Sequence, residues 1–367
     1  MDPQLICGFY RIVGSCGMDC RSLAGFPSAG EVSLRKSLTR LVGVALVAAS
    51  AAIAGCATAG PSPGPIEIHG NKQTFEIAPV LLAAEKYYPG EATVKMGGIP
   101  NLVGDPIIPG FGEEGVADVA THAETQALRY SVKHPNLRIV LNVAQGLYRI
   151  VARRSAGIAT VADLKGKRVV TIAPTSSGYF LSRMLAREGL SFADIRPVSL
   201  PSGTPLSAMP GMLARGEADA VVIWEPESEN SALALGDDLI EFHGDGVYAE
   251  QFNLNTTAEN LADPSRRAKI VAFLRAVIDA AEEIRRDPAA AKTLVVAAGG
   301  FSPQEVERSW KHHAFTADYP AGLLDILVEE EQWLAAQDKR APRDREELAR
   351  LIDTSAYQEA LALEKGQ

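Results

Sequence analysis

The chain has 367 residues, 47% of them hydrophobic and 22% charged, with 32 Gly and 22 Pro. That length suits about two domains, and the balance is that of a globular protein, which excludes disordered, collagenous and coiled-coil classes. The net charge is −9, from 36 basic and 45 acidic residues with no basic run, so nucleic acid is excluded as a partner.

The first sixty residues read as an address. Residues 1–31 hold Cys7, Cys16 and Cys20 with no periodicity, and read as an extension ahead of the true start, which is expected near Met18 or at Val32. Residues 32–55 read as a lipoprotein signal. Arg35, Lys36 and Arg40 precede 14 uncharged residues, 41–54, too short a run to span a membrane. Ile53-Ala54-Gly55-Cys56 resembles the bacterial lipobox, which implies lipidation of Cys56 and an extracytoplasmic protein, periplasmic or at the cell surface, anchored to the membrane by lipid. Residues 56–65 are rich in Gly, Pro and Ser and read as a flexible tether. All 4 cysteines lie at or before position 56, so the mature chain has no internal disulfide, thiol nucleophile or cysteine-based zinc site. It carries 31 basic and 42 acidic residues, a net charge of −11.

From residue 66 onward strand and helix patterns alternate, which points to α/β layering. Short apolar runs predict strands over 66–69, 92–96, 116–120, 138–143, 148–152, 168–172, 195–200 and 219–223. Helical patterns fall between them over 79–88, 125–133, 178–187 and 206–215. After residue 255 the chain reads as mostly helical: 264–286, 288–298, 303–312, 321–337, 344–352 and 356–365, with Pro264, Pro288 and Pro303 at helix starts. The segment 97–115 contains Pro100, Pro106, Pro109 and several glycines, which oppose a continuous helix and suggest a long loop.

Three stretches carry a family resemblance. Asp163-Leu164-Lys165-Gly166-Lys167 leads into a strand. Ala173-Pro174-Thr175-Ser176-Ser177-Gly178-Tyr179 is a strand-to-helix turn. Gly216-Glu217-Ala218-Asp219-Ala220 is followed by a strand and Trp224-Glu225-Pro226, with a weaker copy at Gly115-Val116-Ala117-Asp118. In this order they resemble the solute-binding proteins of ABC importers for sulfonate, taurine, nitrate and thiamine precursors. The resemblance implies the α/β type II periplasmic-binding-protein fold, two lobes joined by two crossing strands with a helical C-terminal region. Lobe 1 would be 66–153, lobe 2 would be 154–247, and 248–367 would return to lobe 1, with crossings near 151–155 and 244–252. It also implies a monomer that binds a small-molecule ligand, anionic or zwitterionic, and docks on ABC permease and ATPase subunits, with no cofactor, no metal and no catalysis. A thiamine-pyrimidine-related protein or enzyme of the same fold, or a ligand-sensing domain, stays open as an alternative.

The residues themselves suggest where a ligand would sit. Ser176, Ser177 and Gly178 open a helix, whose free N–H groups and partial positive charge favour an anion, though an ordinary cap would look the same. The motif adds Tyr179. Asn71 and Gln73 lie in a loop after the first strand, where open α/β sheets bind ligands. His122 and Glu124 follow another strand; the competing reading is a capping box made by Thr121 and Glu124. Trp224 offers a flat apolar wall or lobe core, and Glu225 a partner for a ligand ammonium. Neither a P-loop nor an H-E-x-x-H pattern occurs, and the adjacent His312-His313 pair points apart on a helix.

Overall fold

The structure is a computed structural model that describes residues 63–107, 112–201 and 203–363. The signal segment, Cys56 and most of the tether lie outside the described residues.

Eleven strands form two sheets among the described residues. The first sheet holds β1 (Ile66–Gly70), β2 (Ala92–Met96), β3 (Val119–Ala123), β4 (Leu137–Gly146), β10 (Glu250–Thr257) and β11 (His313–Ala314), in the order β11-β4-β10-β3-β1-β2. Its β2-β1-β3 half is parallel, and β10 runs antiparallel between β3 and β4. The second sheet holds β5 (Arg149–Arg153), β6 (Arg168–Thr171), β7 (Arg196–Val198), β8 (Ala220–Val222) and β9 (Leu239–His243), in the order β7-β6-β8-β5-β9. Again three strands are parallel, and β5 is antiparallel to both its neighbours. These are the two α/β lobes of the type II fold. The chain crosses between them twice, from β4 to β5 and from β9 to β10, and ends in helices. The first crossing lies at 147–148 rather than near 151–155, because Arg149 already pairs with His243 inside the second sheet.

The strand period explains the second lobe. Ile150, Val169 and Val222 enter one core cluster with Phe180 and Leu185, while the alternate residues Val151, Val170 and Val221 enter another with Met209 and Leu213. A sheet covered on both faces is apolar at consecutive positions, which is why these runs read as strands. In the first lobe the long helix Pro264–Arg286 begins at Asp263, whose side chain accepts from Arg266 N at 2.9 Å, with Pro264 at its first position. Its stripe of Ile270, Leu274, Val277 and Ala281 packs on Ile66, Ile68 and Val80 in one core.

Three expectations shift. The third strand is 119–123 rather than 116–120, because the parallel register with β1 begins at Ile68 and Val119 and leaves Val116 exposed. Within 97–115 one turn of helix does form, Ile99–Val103, entered at Pro100 and ended by Gly104 at φ 73. The helix Glu124–Lys133 starts after Ala123 with no side-chain cap, so no Thr121–Glu124 capping box exists.

A buried carboxylate ties the C-terminal region down. Glu331, on the helix Leu323–Gln337, accepts from Arg340 and from the Arg343 guanidinium and backbone N–H. Arg343 reaches on to Leu128 O at 2.9 Å in the first lobe. Burial alone would raise the Glu331 pKa, but these hydrogen bonds outweigh it and hold it at about 2. A depressed carboxylate stabilises the fold above its unfolded pKa of about 4.3, and that contribution is lost as pH falls from about 4 to about 2. With solvent screening of the partly exposed arginines, Glu331→Gln is expected to cost about 2 kcal/mol at pH 7. The same variant should flatten the acid limb of stability, as measured by urea unfolding at several pH values.

Candidate functional site: a cleft between the lobes

The carboxyl ends of parallel strands from both sheets converge on a cavity of about 360 Å³. From the first lobe come Asn71 after β1, Met96 to Gly98 at the end of β2, and His122 in β3. From the second come Ile172, Thr175 and Ser176 after β6 and Trp224 after β8. Glu250 and Phe252, on β10 just past the return crossing, and Glu76 complete the floor. Ile107 and Gly112 line the cleft as well. The lobes also touch directly. Gln126 Nε2 and Arg129 Nη1 donate to Pro174 O at 3.1 and 3.2 Å, and Arg183 pairs with Glu329 at 2.6 Å.

The sequence-derived residues separate into two groups. Asn71, His122, Ser176 and Trp224 line the cavity together. Asn71 is oriented by its own loop, its Oδ1 accepting from Gln73 N at 3.0 Å, while Gln73 is exposed and not part of the lining. Glu124 is fully buried outside the cavity, accepting from Tyr248 Oη at 2.5 Å and Gln251 N at 2.9 Å. Ser177 is buried against Thr171 and Thr175 hydroxyls at 3.2 and 3.0 Å. Gly178 serves close packing: a Cβ there would lie 2.0 Å from Ala173 O. Tyr179 sits edge-on between Tyr248 and Trp333 and lines a second cavity of about 340 Å³ beside the return crossing. Glu225 is turned to Arg149, so a ligand ammonium would have to compete with a buried guanidinium for it.

Two residues the sequence reading missed carry much of the cleft's polarity. Glu76 pairs with His313 Nε2 at 3.3 Å and accepts from the Thr74 hydroxyl. Burial works against the Glu76 charge, but His313 outweighs it and holds the carboxyl below its ordinary pKa; His313 is raised in turn, its burial overcome by Glu76. Glu250 Oε2 accepts from the Tyr148 and Ser176 hydroxyls. Burial, with Glu76 and Glu124 nearby, pushes the Glu250 carboxyl well above the ordinary carboxylate range. Burial pushes His122 down to about 4, so it is neutral at physiological pH. Its Nδ1 accepts from Ala123 N at 3.2 Å, which leaves the ring proton on Nε2 as a donor. The arrangement is an apolar, part-enclosed chamber with a few directed polar groups, the usual form of a small-molecule site. Among the described residues no group of three or more His, Cys, Asp or Glu is placed to hold a metal ion.

Comparison with known proteins gives the following. The alkanesulfonate-binding protein SsuA of Xanthomonas axonopodis pv. citri, solved with MOPS, superimposes with a TM-score of 0.60 at 20% identity, over 79% of this chain and 98% of that one. The periplasmic aliphatic sulphonate binding protein of Escherichia coli gives 0.62 at 17% identity, over 77% and 91%. The desulfurization enzyme DszB gives 0.55 at 14%, over 81% and 99%. These likenesses show a shared fold, and since binders and an enzyme share it, the fold alone does not choose between them. A protein of Escherichia coli (strain K12) named for aliphatic sulfonate binding is 40% identical over 87 residues, 24% of this chain. The chain spans 26% of the length of that curated relative. Residues 74–291, which include most of both sheets and most of the cleft, match the family described as NMT1/THI5 like, and the chain belongs to that family.

Proposed function

We propose that this chain is the solute-binding component of an ABC importer. It captures a small organic solute between its lobes, as a monomer, and presents it to a membrane permease driven by an ATPase. The observation that carries this reading is the chamber of about 360 Å³ formed by strand ends of both lobes directly beside the crossing segments. A solute bound there touches both lobes, so its binding energy favours the closed arrangement. The names of the similar proteins support an organic sulfonate as the solute class. The cleft offers donors for such a head group: the N-terminal end of the helix Ser176–Arg187, the Nε2–H of His122, and the Asn71 amide. The apolar walls would take the organic body. In the same reading Cys56 carries the lipid that holds the protein outside the cytoplasm, and the cleft binds its solute without altering it.

The test is thermal unfolding of the protein against a panel of alkanesulfonates, arylsulfonates, aminosulfonates, nitrate and thiamine precursors. A solute present at about 100 times its dissociation constant adds about 2.7 kcal/mol to native stability. One chemical class should raise the midpoint and be recovered unchanged by mass spectrometry. No response to any solute would refute the binding reading, and a chemically altered solute would replace it with an enzymatic one.

A further inference from the structure

The polar groups of the cleft are unbalanced in sign. No Lys or Arg is among the described residues that line it, while two carboxyl groups are: Glu76 at 2% exposure and Glu250 at 5%. The cations next in sequence to lining residues are engaged elsewhere, Lys72 with Glu113 at 3.5 Å, Lys95 with Glu67 and Arg129 with Asp338 at 3.5 Å. Glu250 Oε2 takes the Tyr148 and Ser176 hydroxyls, and Oε1 has no hydrogen-bond partner among the described residues. The carboxyl is thus nine-tenths buried, open on one oxygen, and at the wall of a cavity of small-molecule size. The groups that face it are the Tyr148 and Ser176 hydroxyls, the carboxyls of Glu76, Glu124 and Glu330, and Tyr248. This set contains no Lys or Arg; His313 sits behind Glu76, 3.3 Å from it, and is not part of the cleft lining.

We infer that the solute of this cleft carries a cationic nitrogen, seated against Glu76 and Glu250, on an apolar body that packs on Trp224, Phe252 and Ile172. This rests on the solute-binding reading above and narrows it to cationic or zwitterionic solutes, with a sulfonate or other acceptor allowed at the Ser176 end. Crowded buried carboxylates cannot all ionise unless a cation joins them. In the empty cleft Glu250 therefore keeps its proton, consistent with the direction of its pKa. An arriving ammonium, which stays charged to about pH 9 or above, takes the proton's place. Binding then releases a proton from Glu250 to solvent, and affinity rises with pH.

The experiment is calorimetric titration with three matched probes: benzenesulfonate, benzylamine and 4-(aminomethyl)benzenesulfonate. Both amines are expected to bind at least tenfold more tightly than benzenesulfonate at pH 7.5. Their affinity should fall several-fold at pH 5.5, and the heat should vary with buffer ionisation enthalpy in the sense of proton release. Glu250→Gln copies the protonated carboxyl in shape, so it should fold, lose the proton release and bind the amines at least tenfold more weakly. Glu76→Gln should weaken them independently and carries the test if the first variant is unstable. Benzenesulfonate binding as tightly as its amine counterpart, or amine selectivity unchanged in both variants, would overturn the inference and leave the solute-binding reading standing. No binding by these probes or by any member of the wider panel would overturn both.

Discussion

Arg149→Met is expected to destabilise the protein by about 3 to 5 kcal/mol, the usual cost of removing one partner from a buried ion cluster. Arg149 is 0% exposed, on the first strand after the crossing. Its guanidinium meets Glu225, Glu229 at 2.8 Å and, as an ion pair without hydrogen-bond alignment, Glu241 at 2.6 Å. Burial and the Arg149 charge together push the neighbouring His312 down to about 3, although its Nε2 lies 3.7 Å from Glu229. Without Arg149 the carboxylates are left uncompensated, the Glu225 carboxyl that burial already raises goes higher, and the His312 pKa rises with it. The native state of the variant then binds more protons than its unfolded chain, so its stability recovers as pH falls. Urea unfolding followed by circular dichroism should show a large loss at pH 7.5 and a smaller one at pH 5.5. A loss below about 1 kcal/mol at pH 7.5 would mean that the cluster is solvated in a way its burial denies.

The second large effect is expected from Gly178→Ala. The added methyl would meet Ala173 O at 2.0 Å, with the Ala173 carbonyl carbon at 2.7 Å, and since these are backbone atoms no flexible side chain is there to yield. Overpacking of this kind costs about 1 to 3 kcal/mol, and a clash against backbone belongs at the upper end. The alternative is for the helix Ser176–Arg187 to back away from the end of β6. That movement would carry Ser176 out of the cleft and break its contacts with Tyr148 and Glu250. The variant should therefore lose solute affinity at least tenfold even at temperatures where it is fully folded. A folded variant with unchanged affinity would show that the Ser176 turn does not hold the solute.

The residues that read correctly from sequence are those whose surroundings are uniform. Strands β1, β2, β6 and β8 are short runs in the parallel halves of the two sheets, and the helix Pro264–Arg286 announces both its cap and its apolar stripe. Strand β10 gave no such signal. It reads Glu-Gln-Phe-Asn-Leu-Asn-Thr-Thr, a polar sequence, yet all eight residues are buried at the centre of the first sheet. Asn255 and Thr256 spend their polar groups on backbone carbonyls of Ala120 and Asp118, and Glu250 faces the cleft. Tertiary context, not strand propensity, makes this segment a strand. The same blindness hid Glu250 as a residue of the cleft lining. It also steered attention to Glu225, which follows Trp224 in a recognisable motif but is claimed by Arg149, a partner 76 residues away in sequence. Ser176 and Ser177 are adjacent, and only the helix phase decides that Ser176 opens on the cavity while Ser177 turns to Thr171. The rule that ligands lie beyond the carboxyl ends of parallel strands pointed to the Asn71 loop, and Asn71 does line one cavity with His122 and Ser176, because the rule depends on topology rather than on side-chain partners.

The cleft itself is tested most directly by a crystal structure of the protein grown with the tightest solute from the thermal panel. Solute density is expected between the two lobes, against Trp224 and within hydrogen-bond reach of Ser176 and either His122 or Glu250. Density confined to the Tyr179–Tyr248 cavity or to the outer surface, with the space between the lobes filled only by water, would contradict the assignment.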